Sequence, residues 1–246
     1  MDRFVYISAN NSQQLMDAQT INIHNLANVN TPGFRADFAH FHAAAVSGDG
    51  LDSIAYSSLG SIASDFKAGA ISATNRDLDI AIQNEGFISV QGKDGKEALT
   101  RAGNLMIDAK GMLVTSSGQP VLGNGGPITI PPSEQIEIAE DGTISVRPQG
   151  QGPASLAQLD RIKLVKPNTE DLQKGLDGLF YSKNDTAFAA DSSVKIQSGA
   201  LEGSNVDAVG TMVQIMELAR EYEVQSKMMK AAEDNSQTSA QIMHVA

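Results

Sequence analysis

The sequence predicts an α+β fold, a hairpin-rich antiparallel β domain with long N- and C-terminal helices that pair into a coiled-coil-like rod. Three observations predict it. Apolar residues recur at helical spacing near both ends of the 246-residue chain, the period switches to two at Asp77, and turn signals then return every dozen residues or so. With 41% apolar and 19% charged residues the composition is that of a folding chain, long enough for one moderate core or two small ones.

Residues 1–40 carry two basic and three acidic side chains but six Asn and three Gln. Phe4, Ile7, Leu15, Ala18, Leu26 and Val29 share a helical stripe about 100° wide, with Asn11 and Asn22 on it, which predicts a helix from near residue 3 to near residue 28. Asn30-Thr31-Pro32-Gly33 stops it, because Pro32 biases Thr31 away from the helical region and Gly33 tolerates a positive φ. Residues 36–75 are rich in Ala, Ser and Gly. Their apolar side chains, Phe38, Phe41, Leu51, Ile54, Leu59, Ile62 and Phe66, fit neither period, and the expectation is an extended connector with short ordered pieces.

The β domain is expected over 76–200. It opens where Leu78, Ile80 and Ile82 alternate with Asp77, Asp79 and Gln83, the acidic pair lying on a solvated face. Turns follow at 93–96, 108–111, 117–120, 123–127 and 140–142, flanked by Ile88/Val90, Met112/Val114, Ile128/Ile130, Ile136/Ile138 and Ile144/Val146. Ile162, Leu164 and Phe180-Tyr181 add strands, and a linker is expected near Gln197-Ser198-Gly199. From Gly203 a long helix begins, with Ser204 or Asn205 as its cap and Asp207 in its first turn. A seven-residue pattern places Met212, Ile215, Ala219, Tyr222, Met229, Ala240 and Met243 on one seam, weakened by Ser226, Glu233 and Ser236. The expected organisation is thus residues 1–35 with 201–246 as a helical domain, 36–75 as connector and 76–200 as β domain.

A helix of about 38 residues is about 57 Å long. A β region of about 125 residues has a radius of gyration near 14 Å, too small to cover it. The N-terminal helix is the obvious partner, yet Val5, Ile21, Ile23, Leu218, Val224 and Met228 would still be wet, which points to copies or relatives of this chain. On pattern alone, a two-helix lid folded over the β domain fits equally.

Several function classes drop out. A net charge of -11 without any basic cluster argues against nucleic acid. The absence of Cys removes disulfides, thiolate metal sites and thiol nucleophiles. Residues 1–11 lack the features of a cleavable signal peptide, and no apolar run reaches the length of a membrane span. His40-Phe41-His42 lacks a third ligand at a supporting spacing, the Asp77/Asp79 pair reads as strand polarity, Gly123-Asn124-Gly125-Gly126-Pro127 reads as a turn, and no Gly-x-Ser-x-Gly elbow occurs. No catalytic residue, metal site or cofactor is expected.

The segment Asn25-Leu26-Ala27-Asn28-Val29-Asn30-Thr31-Pro32-Gly33-Phe34-Arg35 resembles the signature of the flagellar rod and hook family of axial proteins. Gln83-Asn84-Glu85-Gly86-Phe87-Ile88, Leu99-Thr100-Arg101-Ala102-Gly103-Asn104-Leu105 and Leu201-Glu202-Gly203-Ser204-Asn205-Val206 continue the likeness, which spans nearly the whole chain but is weak over 36–75. Length and motif variants are most similar to proximal-rod members, with distal-rod and hook-type members as alternatives. A stand-alone extracellular β-protein, an adhesin or a polysaccharide-acting enzyme, is the reading from another class. The resemblance implies a non-enzymatic subunit of the basal-body rod crossing the periplasm, exported unfolded by the flagellar type III apparatus and partnered by itself and other rod proteins. It implies subunit-interface residues at Leu15, Ala18, Asn22, Asn25, Leu26, Asn28, Val29, Pro32, Gly33 and Phe34, and at Met212, Ile215, Ala219, Tyr222 and Met229.

Overall fold

The computed structural model describes residues 3–45, 55–148 and 156–245. It divides into two compact units, one of Met1–Val29, Ala36–Asp65 and Val206–Ala246, the other of Asn30–Arg35 and Phe66–Asn205. The α+β class read from the sequence is the class observed.

In the first unit α1 (Arg3–Ala27) and α2 (Ala208–Val245) pack against each other. Both match the predicted spans, though α2 is capped differently. Asp207, rather than Ser204 or Asn205, accepts from the Val209 amide at 3.1 Å. The inner face of α1 is built from small polar groups: Ser8 and Ser12 are buried, and Ser12 Oγ donates to the Ser8 carbonyl at 2.8 Å. That bond satisfies a hydroxyl where a larger side chain would hold a neighbouring backbone away.

Residues 36–75 depart from the expected connector. β1 (Asp37–Ala45) and β2 (Ala55–Ser64) pair antiparallel from Asp37↔Ser64 to Ala45↔Ala55, with a register shift after His40 that leaves Gly60 as the extra residue. The scattered apolar pattern misled because alternation here runs between Asp37, Ala39 and Phe41 on the more covered side and Phe38, His40 and His42 on the exposed side. Leu51 and Ile54 lie outside the described residues.

Asn25 ties this hairpin to α1. Its Nδ2 donates to the Asp37 carbonyl at 2.6 Å and its Oδ1 accepts from the Asp37 amide at 2.8 Å, so one side-chain amide pairs with a peptide as an adjacent strand would. Asn25→Ala removes both bonds at a buried site and is expected to cost about 2–3 kcal/mol. Asn28→Ala, which loses an exposed bond to the His24 carbonyl, should stay within about 0.5 kcal/mol. Urea unfolding followed by helical circular dichroism compares the two.

Among the described residues the second unit is all β apart from one short turn of 3-10 helix. In order its strands are β3 (Ile71–Ala73), β4 (Ile80–Ile82), β5 (Phe87–Gln91), β6 (Glu97–Thr100), β7 (Leu105–Ile107), β8 (Leu113–Thr115), β9 (Ser133–Ile138) and β10 (Thr143–Pro148). There follow β11 (Ala157–Arg161), β12 (Leu164–Val165), β13 (Leu172–Lys174), β14 (Phe180–Ser182), β15 (Ile196–Ser198) and β16 (Ala200–Glu202). Among the described residues β12-β5-β6-β14-β13 form one sheet and β11-β10-β9 another, with β7-β8, β15-β4 and β16-β3 as pairs, all antiparallel.

The predicted turns sit where the strands reverse. Asp108 Oδ1 accepts from the Lys110 and Met112 amides at 2.8 Å each, closing the β7–β8 reversal. The core gathers Ile80, Ile88, Val90, Leu105, Leu113, Val121, Ile128, Ile144 and Ile196, and a second cluster joins Phe87, Leu99, Val165, Leu172 and Phe180. Two expectations are corrected. Asp79 does not face solvent; β4 is covered on both sides, and Asp79 is buried against Arg76 at 3.2 Å. Gln197-Ser198-Gly199 is no linker: β15 pairs with β4, Gly199 turns the chain, and β16 pairs with β3.

Candidate functional site

Three of the motifs singled out above converge in the second unit. Gly33, at φ +70°, donates its amide to the Glu202 carbonyl at 2.8 Å and passes so close to Arg101 that a Cβ there would stand 2.3 Å from the Arg101 carbonyl carbon. Two residues on, Arg35 Nη2 meets Glu202 Oε1 at 2.8 Å, while Arg101 Nη1 meets Glu202 Oε2 at 2.6 Å. Relative exposures of 1% for Arg35, 5% for Arg101 and 1% for Glu202 show that the cluster is dry.

Two guanidiniums facing one carboxylate leave an excess positive charge in the interior, which backbone oxygens offset. Arg101 donates from Nε to the Gly86 carbonyl at 2.8 Å and from Nη2 to the Asn84 carbonyl at 2.6 Å, and Arg35 Nη1 donates to the Lys67 carbonyl. Glu202 Oε1 also accepts the Gly69 amide at 2.9 Å. Removing one member of such a cluster strands a buried charge, a change typically costing about 3–5 kcal/mol. Alongside, Lys174 donates to the Arg35 carbonyl at 2.8 Å and sits 4.1 Å from the Phe34 ring centroid. The bonds of the cluster run between its own charged groups and backbone groups of the fold.

The expected interface residues fall into two sets. Asn25 and Gly33 are buried by their own chain, and Leu15, Ala18, Asn22, Leu26, Asn28, Val29, Pro32 and Phe34 are partly covered. On α2, Ile215, Ala219 and Met229 are partly covered, whereas Met212 and Tyr222 are exposed. The covered line of α2 shares Ile215 and Met229 with the predicted seam and adds Thr211, Leu218, Gln225 and Ala232, at steps of three and four except across exposed Tyr222, and it includes two polar residues.

Of the apolar residues the sequence left wet, Ile23 and Val224 are exposed, whereas Val5, Ile21, Leu218 and Met228 are partly covered. Along α1 the exposed residues Tyr6, Ala9, Gln13, Met16, Thr20, Ile23 and Ala27 recur every three or four positions, with His24 as the one basic side chain among the exposed described residues of the helix. On α2, Val209, Met212, Val213 and Met216 are all exposed within two turns. A cleft of about 710 Å³ in the same unit is lined by Val5, Tyr6, Met229 and Lys230 among others. Helix faces with this much unshielded apolar surface are characteristic of association surfaces. Among the described residues no helix is long and apolar enough to cross a membrane, and no group of three or more His, Asp or Glu is placed to hold a metal ion.

Comparison with known proteins places this architecture. Residues 81–146 match the family model "Flagellar hook protein FlgE/F/G D1 domain", and residues 197–242 match "Flagellar basal body rod FlgEFG protein C-terminal". The chain belongs to the flagellar basal-body rod protein family. It is 37% identical to the flagellar basal-body rod protein FlgF of Salmonella typhimurium over 99% of each chain, and 36% identical to FlgF of Escherichia coli over the same shares. It is also 32% identical to FlgG of Buchnera aphidicola, over 92% of this chain and 96% of the relative.

Proposed function

We propose that this protein is a structural subunit of the proximal basal-body rod, polymerising through its terminal helices into a helical shaft that transmits torque. The observation that carries the reading is the heptad-spaced outer face of α1, free of Lys, Arg, Asp and Glu at Tyr6, Ala9, Gln13, Met16, Thr20, Ile23 and Ala27, together with the apolar start of α2, in a chain related end to end to rod proteins. Faces without Lys, Arg, Asp or Glu can be buried between subunits at little cost in desolvated charge, and Gln13 and Thr20 supply directional groups that can fix register. In this reading the helices pair in coiled-coil fashion, and Met212 and Tyr222, exposed in the monomer, are covered by neighbouring rod subunits. The protein works without catalysis, occupies the rod in the periplasm, and reaches it through the flagellar type III export apparatus. A stand-alone extracellular β-protein using the helices as a private lid would leave Tyr6, Met16 and Ile23 half exposed to no purpose.

Because the chain has no Cys, Ile23→Cys provides a single reporter thiol. In the purified dilute monomer this thiol should react readily with a maleimide, and in basal bodies isolated from cells expressing the variant it should be protected. Absence of the protein from isolated basal bodies would refute the assignment.

A further inference from the structure

The chain passes between its two units four times, after Val29, Arg35, Asp65 and Asn205. On the second-unit side, every one of these passages lies within a few residues of an atom bonded in the Glu202 cluster or its backbone frame. Gly33 donates to the Glu202 carbonyl and Arg35 pairs with its carboxylate, which serves the first two passages. The third is followed at once by Lys67, whose carbonyl accepts from Arg35, and by Gly69, whose amide donates to Glu202 Oε1. Before the fourth, the Gly203 amide donates to the Ala70 carbonyl at 2.8 Å and Asn205 Nδ2 donates to the Lys67 carbonyl at 3.1 Å. Arg101, anchored to Gly86 and Asn84, connects this frame to the β core.

We infer that Glu202 is a positioning residue, a joint whose carboxylate gathers the second-unit ends of all four crossings and fastens them to the core through Arg101. This deepens the rod assignment, on which its mechanical meaning rests: torsion that reaches the β unit along any of the four strands of backbone arrives at one buried carboxylate. The arrangement suits that task. A charge-assisted cluster is short and directional, and at this depth salt does not screen it. Four independent flexible tethers would let the crossings shear past one another; one shared anchor does not.

The consequence is local. Loss of the carboxylate charge should open the frame around the crossings in preference to the hydrophobic core. In the full-length chain, amide hydrogen exchange of Glu202→Gln and Arg35→Lys should accelerate at Gly33, Gly69 and Gly203 by about tenfold more than at Ile88, Leu113 and Ile144. Glu97→Gln is the control. It perturbs another ion pair of the same unit, Lys163 to Glu97 at 2.7 Å, and should leave the three glycine amides at their original rates relative to the core. Equal acceleration of frame and core in Glu202→Gln would make the cluster an ordinary contributor to stability and overturn the joint, as would unchanged exchange at all three glycines. A second readout separates this proposal from the rod assignment: cells relying on Glu202→Gln should lose several-fold more swimming speed in viscous medium than in dilute medium, relative to Glu97→Gln. Equal loss in both media overturns the mechanical role. Failure of the rod assignment shows instead as absence of the wild-type protein from basal bodies.

Discussion

Gly33→Ala and Gly103→Ala are expected to unfold or nearly unfold the β unit. A Cβ on Gly33 would stand 2.3 Å from the Arg101 carbonyl carbon and 2.4 Å from its oxygen, at a φ of +70° that an L side chain resists. On Gly103 it would lie 1.7 Å from the Ile80 carbonyl oxygen. Both obstacles are backbone atoms within a packed core, so neither can rotate away, and each change should cost on the order of 4 kcal/mol or more. Gly125→Ala is the matched control. Nothing lies within 4 Å of its Cβ position, and the shift should stay within about 0.5 kcal/mol. Urea midpoints for the three variants decide the matter; a Gly33→Ala protein as stable as Gly125→Ala would disprove the close approach of the two motifs.

The second large effect concerns assembly and leaves the fold intact. Met212 is about half exposed on the outer side of α2, so Met212→Asp should change the stability of the monomer by no more than about 0.5 kcal/mol. In the rod the same carboxylate would be buried against apolar neighbours without a partner, at a cost of several kcal/mol. The expected result is a well-folded monomer that is almost absent from isolated basal bodies, with motility lost. Leu26→Asp should behave differently, because Leu26 is already partly covered in the monomer. It should weaken the helical unit and incorporation together, leaving the β unit folded. Thermal melts, immunoblots of basal bodies and swarm diameters report the three quantities. Normal motility of Met212→Asp would remove α2 from the interface.

The two helices were legible because their stripes carry large apolar residues at a sustained period, and the β reversals because Asp and Gly mark them. The β1–β2 hairpin was not, since Phe38 lies on its exposed side and Phe41 on its covered side, and the rest of its alternation is written mostly in Ala, Ser and His, which carry little hydropathy signal. The covered line of α2 departed from the predicted seam in part, for a related reason: Ile215 and Met229 lie on both, but Thr211 and Gln225 occupy positions where a hydropathy pattern looks for Met or Leu. The motifs around Gly33, Arg101 and Glu202 stood out individually. Their meeting did not, since Arg101 and Glu202 are 101 residues apart and no local rule couples a buried Arg to a distant Glu.

The β unit is assembled from two stretches of chain, Asn30–Arg35 and Phe66–Asn205. During synthesis Arg35 leaves the ribosome about 170 residues before Glu202, an interval of roughly 10–30 seconds at ordinary elongation rates. Until then the nascent polypeptide carries two arginines awaiting their counter-ion, and a version truncated to begin at Phe66 would never obtain the first of them. The last buried ion pairs of the β unit therefore close only after nearly all of its own sequence has emerged.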